Sequence, residues 1–245
     1  MSIIYENIRS HAARGKKMLA VLLDPEKCTG SVLTNTLAEF EKCTPDYIFI
    51  GGSTGLCDTE GLLRSLKNVQ IPKILFPGDA SQFNPGADGL LFLSLISGRN
   101  PDYLIGQHVL SALEIKQSDV EVIPTGYILI DGGNQSSVQR VSNTNPIGAD
   151  HVDECVSTAV AGELLGMKMV YLEAGSGAAV PVSAEMISAV KQKLNIPLIV
   201  GGGIKTTEQL TSALNAGADL IVVGNIFETE TGKIAEFVRF VKNFC

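Results

Sequence analysis

YLEAGSGAAV (171–180), IPLIVGGGIKT (196–206) and ADLIVVGNIFE (218–228) are three successive versions of one pattern. Each is a short, nearly continuous run of apolar, largely β-branched residues, followed at once by glycine. A run that is apolar at every position, rather than at alternate ones, marks a parallel strand buried on both faces. Five runs upstream share this character: MLAVLLD (18–24), DYIFIGG (46–52), KILF (73–76), DGLLFLS (88–94) and GYILID (126–131). With KMVYLEA (168–174), IPLIVGG (196–202) and DLIVVGN (219–225) they make eight expected strands.

Between the strands lie apolar stripes spaced by three and four residues, which predict helices. They are Leu33–Leu37–Phe40, Leu104–Ile105–His108–Val109–Ala112, Met186–Ile187–Val190–Leu194, Leu210–Ala213–Leu214 and Ile234–Phe237–Val238–Val241. A leading helix is expected near 2–14. The third strand is followed only by GDASQFNPGA (78–87), too short and too rich in Gly and Pro for an ordinary helix. Eight strands and about seven crossover helices in 245 residues fit an α/β (β/α)8 TIM barrel that takes up the whole chain, 1–245, as one domain. A doubly wound open sheet is the alternative, but it usually has fewer strands in this length. The polar stretch GGNQSSVQRVSNTNPIGAD (132–150) is the longest break in the pattern and reads as a surface loop or an active-site lid.

Composition excludes several classes. Apolar residues are 45% of the chain, enough for a large core. A net charge of −7 and no dense Lys/Arg run argue against a nucleic-acid partner. No apolar run approaches the ~18 residues of a membrane span, so no stable membrane insertion is expected. The N-terminal stretch lacks the apolar core of a secretory signal. Five scattered cysteines without a CxxC pair suggest reduced thiols, no zinc site and a cytoplasmic protein.

In a barrel the loops after the strands form the active face, so the residues closing each strand carry the information. GSG, GGG and GN close the last three. Glycine lets main-chain N–H groups approach an anion, and three adjacent clusters point to a phosphate site. Asp24, in LLDPEK, is either a turn residue or a hard oxygen ligand for Mg²⁺. Ser53, in GGSTG, is either a helix cap or a second oxygen for the same ion. Glu173 stands in an apolar strand, where a carboxylate is costly without a partner. It is either half of an ion pair, for instance with Lys205, or a base for a substrate hydroxyl. Tyr171 points to the same side of the strand. His108 lies on an apolar stripe and reads as a packed histidine rather than a ligand.

Taken in order, LLDPEK, YIFIGGSTG, LFPGDASQF, SLISGRNPDYLIGQHV, YLEAGSGA, VGGGIKT and ADLIVVGNIFE resemble the geranylgeranylglyceryl phosphate synthases, with the heptaprenylglyceryl phosphate synthases as close relatives. The resemblance runs from about residue 18 to 228. It implies a modified TIM barrel whose third helix is replaced by a short irregular segment. It also implies an Mg²⁺-dependent prenyltransferase that joins sn-glycerol 1-phosphate to a long prenyl diphosphate. Carried over by motif, the metal ligands fall on Asp24 and Ser53, and the base on Glu173. The glycerol phosphate contacts fall on Tyr171, Leu172, Glu173, Ala174, Gly175, Ser176, Gly177, Gly202, Gly203, Gly224 and Asn225. A homo-oligomer, dimer or hexamer, is implied as well. The stretch IDGGNQSSVQRV after the fifth strand departs from the family pattern, which bears on substrate length and on the lid.

Two rivals share the glycine loops: a sugar-phosphate isomerase or synthase of amino-acid biosynthesis, and a flavin mononucleotide oxidoreductase. A non-catalytic barrel is a third. A prenyl donor would need an apolar groove, for which Phe76, Phe83, Leu93 and Ile96 are the candidates, and a C20 donor is expected to be preferred over C15.

Overall fold

Eight strands pair in chain order into a closed parallel barrel: β1 (Met18–Leu23), β2 (Tyr47–Ile50), β3 (Lys73–Leu75), β4 (Gly89–Leu95), β5 (Glu121–Leu129), β6 (Met169–Glu173), β7 (Leu198–Gly201) and β8 (Leu220–Val223). This is a computed structural model, and it describes residues 3–52 and 57–244. Successive side chains on each strand point to opposite sides. One set fills the barrel interior: Met18, Ala20, Phe49, Ile74, Leu91, Ile123, Met169, Tyr171, Ile199 and Leu220 among them. The other set, including Leu19, Ile48, Leu90, Leu172, Val200 and Ile221, packs under the outer helices. Burial on both faces is why the runs carry no polar alternation.

The outer layer consists of α2 (Gly30–Lys42), α3 (Thr59–Ser65), α4 (Gln107–Gln117), α5 (Ser137–Ser142), α6 (Val152–Leu164), α7 (Ala184–Lys191), α8 (Thr207–Asn215), α9 (Asn225–Thr229) and α10 (Lys233–Lys242). The leading helix α1 (Ile3–Ala13) closes the floor of the barrel. Its Ile8 is fully buried in the interior cluster, and the N–H groups of Ile4 and Tyr5 donate to the Glu121 carboxylate at 2.7 and 2.8 Å. The third crossover holds only a 3₁₀ turn, Ala80–Gln82, as its Gly/Pro content implies. Gln107, at the start of α4, accepts from Ala80 N–H at 3.0 Å, so α4 leans across the space a third helix would fill.

Two expectations are corrected. The fifth strand begins at Glu121, five residues before the expected start, and ends at Leu129. Pro124 lies inside it, since parallel pairing with Phe92 needs no N–H from it, and its carbonyl accepts from Lys168 N–H. The 132–150 stretch is not a plain surface loop. It contains α5, capped by the Ser136 hydroxyl, and an added parallel bridge between Ile130 and Ile147. Asn100 anchors its far side through Ser142 O at 2.8 Å.

Candidate functional site

All eight strands end at one mouth, and a single cleft of about 1610 Å³, counting its open entrance, spans that mouth. Its glycine-walled side is built by the loops after β6, β7 and β8. Ser176, Gly177, Gly202, Gly203, Gly224 and Asn225 all line it. Gly202 has φ +82°, and a Cβ there would overlap Glu173 Oε1 and the amide nitrogens of Ala174 and Gly175. Only glycine fits that turn without strain. The N–H groups of Gly177, Gly203 and Asn225 make no hydrogen bond among the described residues, and all three residues line the cleft. The Asn225 side-chain amide lies within 3.1–3.2 Å of the Ser176 hydroxyl and ties the first loop to the third. Asn134 braces the first loop from the β5 side by donating to Gly177 O at 3.0 Å.

Glu173 closes β6 beside this cradle and is only 6% exposed. Burial pushes its carboxyl up to about 6, opposed by the Tyr171 hydroxyl and by the Gly175 N–H, which donates at 2.7 Å. None of the ion pairs among the described residues involves Glu173. The anticipated partner, Lys205, donates instead to Ala178 O at 3.2 Å, so the ion-pair reading is overturned. Tyr171 is fully buried, its hydroxyl close to Glu173 but without a well-formed hydrogen bond. Its ring stacks on Phe76 at 5.3 Å and meets Tyr127 edge-on at 5.3 Å, which gives the cleft an aromatic floor. A buried carboxyl near neutral pKa, beside a phosphate-sized cradle, suits proton acceptance from a bound hydroxyl.

Across the mouth, Asp24 follows β1 directly. Its Oδ1 accepts from Glu26 N–H at 3.0 Å, and its carboxylate abuts the Cα of Gly52. The carboxylate thus shapes the loop and also lines the cleft. Lys27 lies beside it, 3.6 Å from Asp24 Oδ2 and 3.1 Å from Glu228 Oε1.

From there the cleft becomes apolar. Phe76, Phe83, Phe92, Leu93, Val138 and Val141 line it, together with Tyr103 and one face of α4. It therefore uses both faces of β4 and passes through the space left by the missing third helix. His108 is buried against the edge of Phe92, with ring centroids 4.3 Å apart, and its Nδ1 lacks a partner. Burial holds its pKa down, so it lines this region as a neutral ring.

A model of the PcrB family matches residues 12–241. The chain belongs to that family. It is 47% identical over 233 residues to a geranylgeranylglyceryl phosphate synthase of Flavobacterium johnsoniae, covering 94% of this chain and 96% of that one. It is 48% identical over 240 residues to one of Chitinophaga pinensis, covering 97% and 95%. The crystal structure of (S)-3-O-geranylgeranylglyceryl phosphate synthase from Thermoplasma acidophilum in complex with sn-glycerol-1-phosphate superposes with a TM-score of 0.88. That structure is 32% identical and matches 99% of this chain and 97% of its own.

Within this cleft, the residues chosen from sequence separate by the alternation of β6. Tyr171 and Glu173 reach the cleft, whereas Leu172 points outward into the layer beneath the helices. Ala174 is likewise buried in that layer, and its N–H is already donated to Gly201 O. Gly175 commits its N–H to Glu173. Contact from Leu172 is therefore corrected, and Ala174 and Gly175 shape the loop rather than face the space. Ile96 also fails as a groove residue, because it packs outward onto Gly126 and Gly162. Ser53 lies outside the described residues. Lys27 and Glu228, which line the cleft, were missed. LDPEK contains Lys27, but its relation to a glutamate 201 positions later has no sequence signal. Tyr127 was missed for the same reason.

Proposed function

We propose that this chain transfers a geranylgeranyl group from its diphosphate to sn-glycerol 1-phosphate, forming geranylgeranylglyceryl phosphate and releasing diphosphate. The observation that carries this reading is one continuous cleft joining a glycine-walled cradle, a buried carboxyl with a pKa near 6 and an apolar corridor. An isomerase of a small sugar phosphate would have no use for the corridor.

In this reading the free N–H groups of Gly177, Gly203 and Asn225 hold the glycerol phosphate. The glycerol's terminal hydroxyl then faces Glu173. Its oxygen bonds to C1 of the prenyl chain as the bond from C1 to the diphosphate oxygen breaks, and Glu173 takes the hydroxyl proton. The loops contribute mainly by orientation, since they hold the hydroxyl at C1 instead of awaiting a chance encounter. The aromatic floor of Phe76, Tyr127 and Tyr171 excludes water from C1.

The metal reading rests on Asp24. Among the described residues no three His, Cys, Asp or Glu side chains converge to hold an ion. Mg²⁺ commonly takes only one or two carboxylates and completes its shell with phosphate oxygens and water. One hard carboxylate in the cleft therefore fits a Mg²⁺ site finished by the diphosphate. When bound, Mg²⁺ supplies positive charge to the leaving group. We also read the working form as a homo-oligomer.

Turnover of resolved sn-glycerol 1- and 3-phosphates with a C20 donor, with Mg²⁺ or a chelator, tests the assignment. Product is expected only with the 1-phosphate and Mg²⁺. Asp24→Asn should retain the fold and lose at least ~100-fold activity at limiting Mg²⁺. Normal turnover by that variant would reduce Asp24 to a turn residue.

A further inference from the structure

Lys27 and Lys205 are the only lysine or arginine side chains lining the cleft among the described residues, and they follow β1 and β7, which β8 separates in the closed barrel. Lys205 is bonded to Ala178 O in the glycine-loop wall. Lys27 faces Asp24 and Glu228. On the transferase reading, two anionic groups must share this space, and the departing diphosphate carries the greater charge. With Mg²⁺ on Asp24 the diphosphate would leave on this side of the cleft, where Glu228 adds a further negative charge. A second cation there would offset Glu228 and share the charge of the leaving group.

The loop holds Lys27 there. Asp24 O accepts from Lys27 N–H at 3.0 Å and from Cys28 N–H at 2.7 Å, closing a tight turn that fixes Lys27 next to Asp24. The ammonium has three N–H groups. Glu228 takes one at 3.1 Å, and the 3.6 Å separation from Asp24 is an ion pair rather than a short hydrogen bond. At least one N–H therefore remains for a ligand, and the side chain is 45% exposed. We propose that Lys27, held beside the cleft by the turn at Asp24, binds the diphosphate of the prenyl donor and stabilises it as it leaves. This rests on the transferase reading and adds a residue to it. The competing possibility is a staple that merely ties the β1 loop to α9.

Calorimetric titration separates the two. Mg²⁺–diphosphate and sn-glycerol 1-phosphate are titrated separately into wild type, Lys27→Met, Lys27→Arg and Glu228→Gln, with melting temperatures recorded alongside. Lys27→Met should weaken Mg²⁺–diphosphate binding at least tenfold and leave glycerol phosphate binding within twofold. Lys27→Arg should retain most of the affinity. Glu228→Gln, which removes a repelling charge, should not weaken diphosphate binding. If Lys27→Met binds diphosphate like wild type, the proposal is overturned. It is also overturned if Lys27→Met and Glu228→Gln lose the same affinity together with the same drop in melting temperature, the staple result. A wild-type chain that binds no Mg²⁺–diphosphate overturns the transferase reading itself, and this proposal with it.

Discussion

Glu173 sets function against stability in one side chain. Its folded pKa, about 6, lies above the ordinary value of 4.5, and burial is the leading cause. Between those values the native state holds a proton that the unfolded state has released, so stability declines as pH rises through that window. The neutral carboxyl is fully stabilising below about 4.5, and above about 6 the ionised form costs about 2 kcal/mol. Glu173→Gln removes that cost and keeps an oxygen for Gly175 N–H. At pH 8 it should melt roughly 5 °C higher than wild type, a difference that vanishes below pH 4.5 in matched melting curves. It should also lose ~10²–10⁴-fold in kcat. Wild-type kcat/KM should fall tenfold per pH unit below about 6, because the proton acceptor is then occupied. A variant that is both active and less stable would return Glu173 to a structural role.

The loop after β7 matters as a unit. Gly202 turns with φ +82° so that its Cα passes against Glu173 Oε1 and the first loop's amides. Gly202→Ala forces those loops apart and strains the backbone. We expect glycerol phosphate KM to rise at least ~10-fold, from steady-state kinetics, with the KM of the prenyl donor changed far less, and roughly 1–3 kcal/mol lost on chemical denaturation. An unchanged glycerol phosphate KM would remove this loop from the phosphate site. The α5 segment works at the same level. Val138 and Val141 face the cleft, while Ser142 is fully buried and bonds back to Val138 O at 2.6 Å. What read as a polar break is a short amphipathic wall.

The corridor belongs to the whole molecule, since it exists because one crossover lacks its helix. Each buried methylene contributes roughly 0.8 kcal/mol before the cost of ordering the chain. A donor one isoprene unit longer should therefore gain if the corridor accepts it. We expect kcat/KM for the C20 donor to exceed that for C15 by about tenfold, mainly through KM. Equal values would count against a length-matched corridor, and a preference for C35 would shift the assignment to the heptaprenyl relatives. On the outer face of α4, Val109, Leu110 and Leu113 stand 67–79% exposed, next to the half-exposed Ile105 of the preceding turn. If the chain works as a homo-oligomer, light scattering should give a multiple of the chain mass. A monomer at micromolar concentration would contradict that reading. No helix among the described residues is long and apolar enough to cross a membrane.

The barrel could be read from the chain because a strand covered on both faces must be apolar at every position, whatever its neighbours. The glycine-closed ends of β6, β7 and β8 could be read for a similar local reason, since tight turns with open donors need residues without Cβ. The gap at the third crossover followed from ten residues too rich in Gly and Pro to coil. Partnership was a different matter. Alternation along β6 sends Tyr171 and Glu173 inward and Leu172 outward, but which side faces the cleft depends on the closed sheet. The release of Lys205 to Ala178, and of Glu173 to Gly175, depends on how two loops pack. Lys27 and Glu228 meet only because β1 and β8 are neighbours where the barrel closes. Periodicity and composition report what each residue can tolerate locally. Which charges end up adjacent is decided by closure of the sheet, and no local signal encodes it.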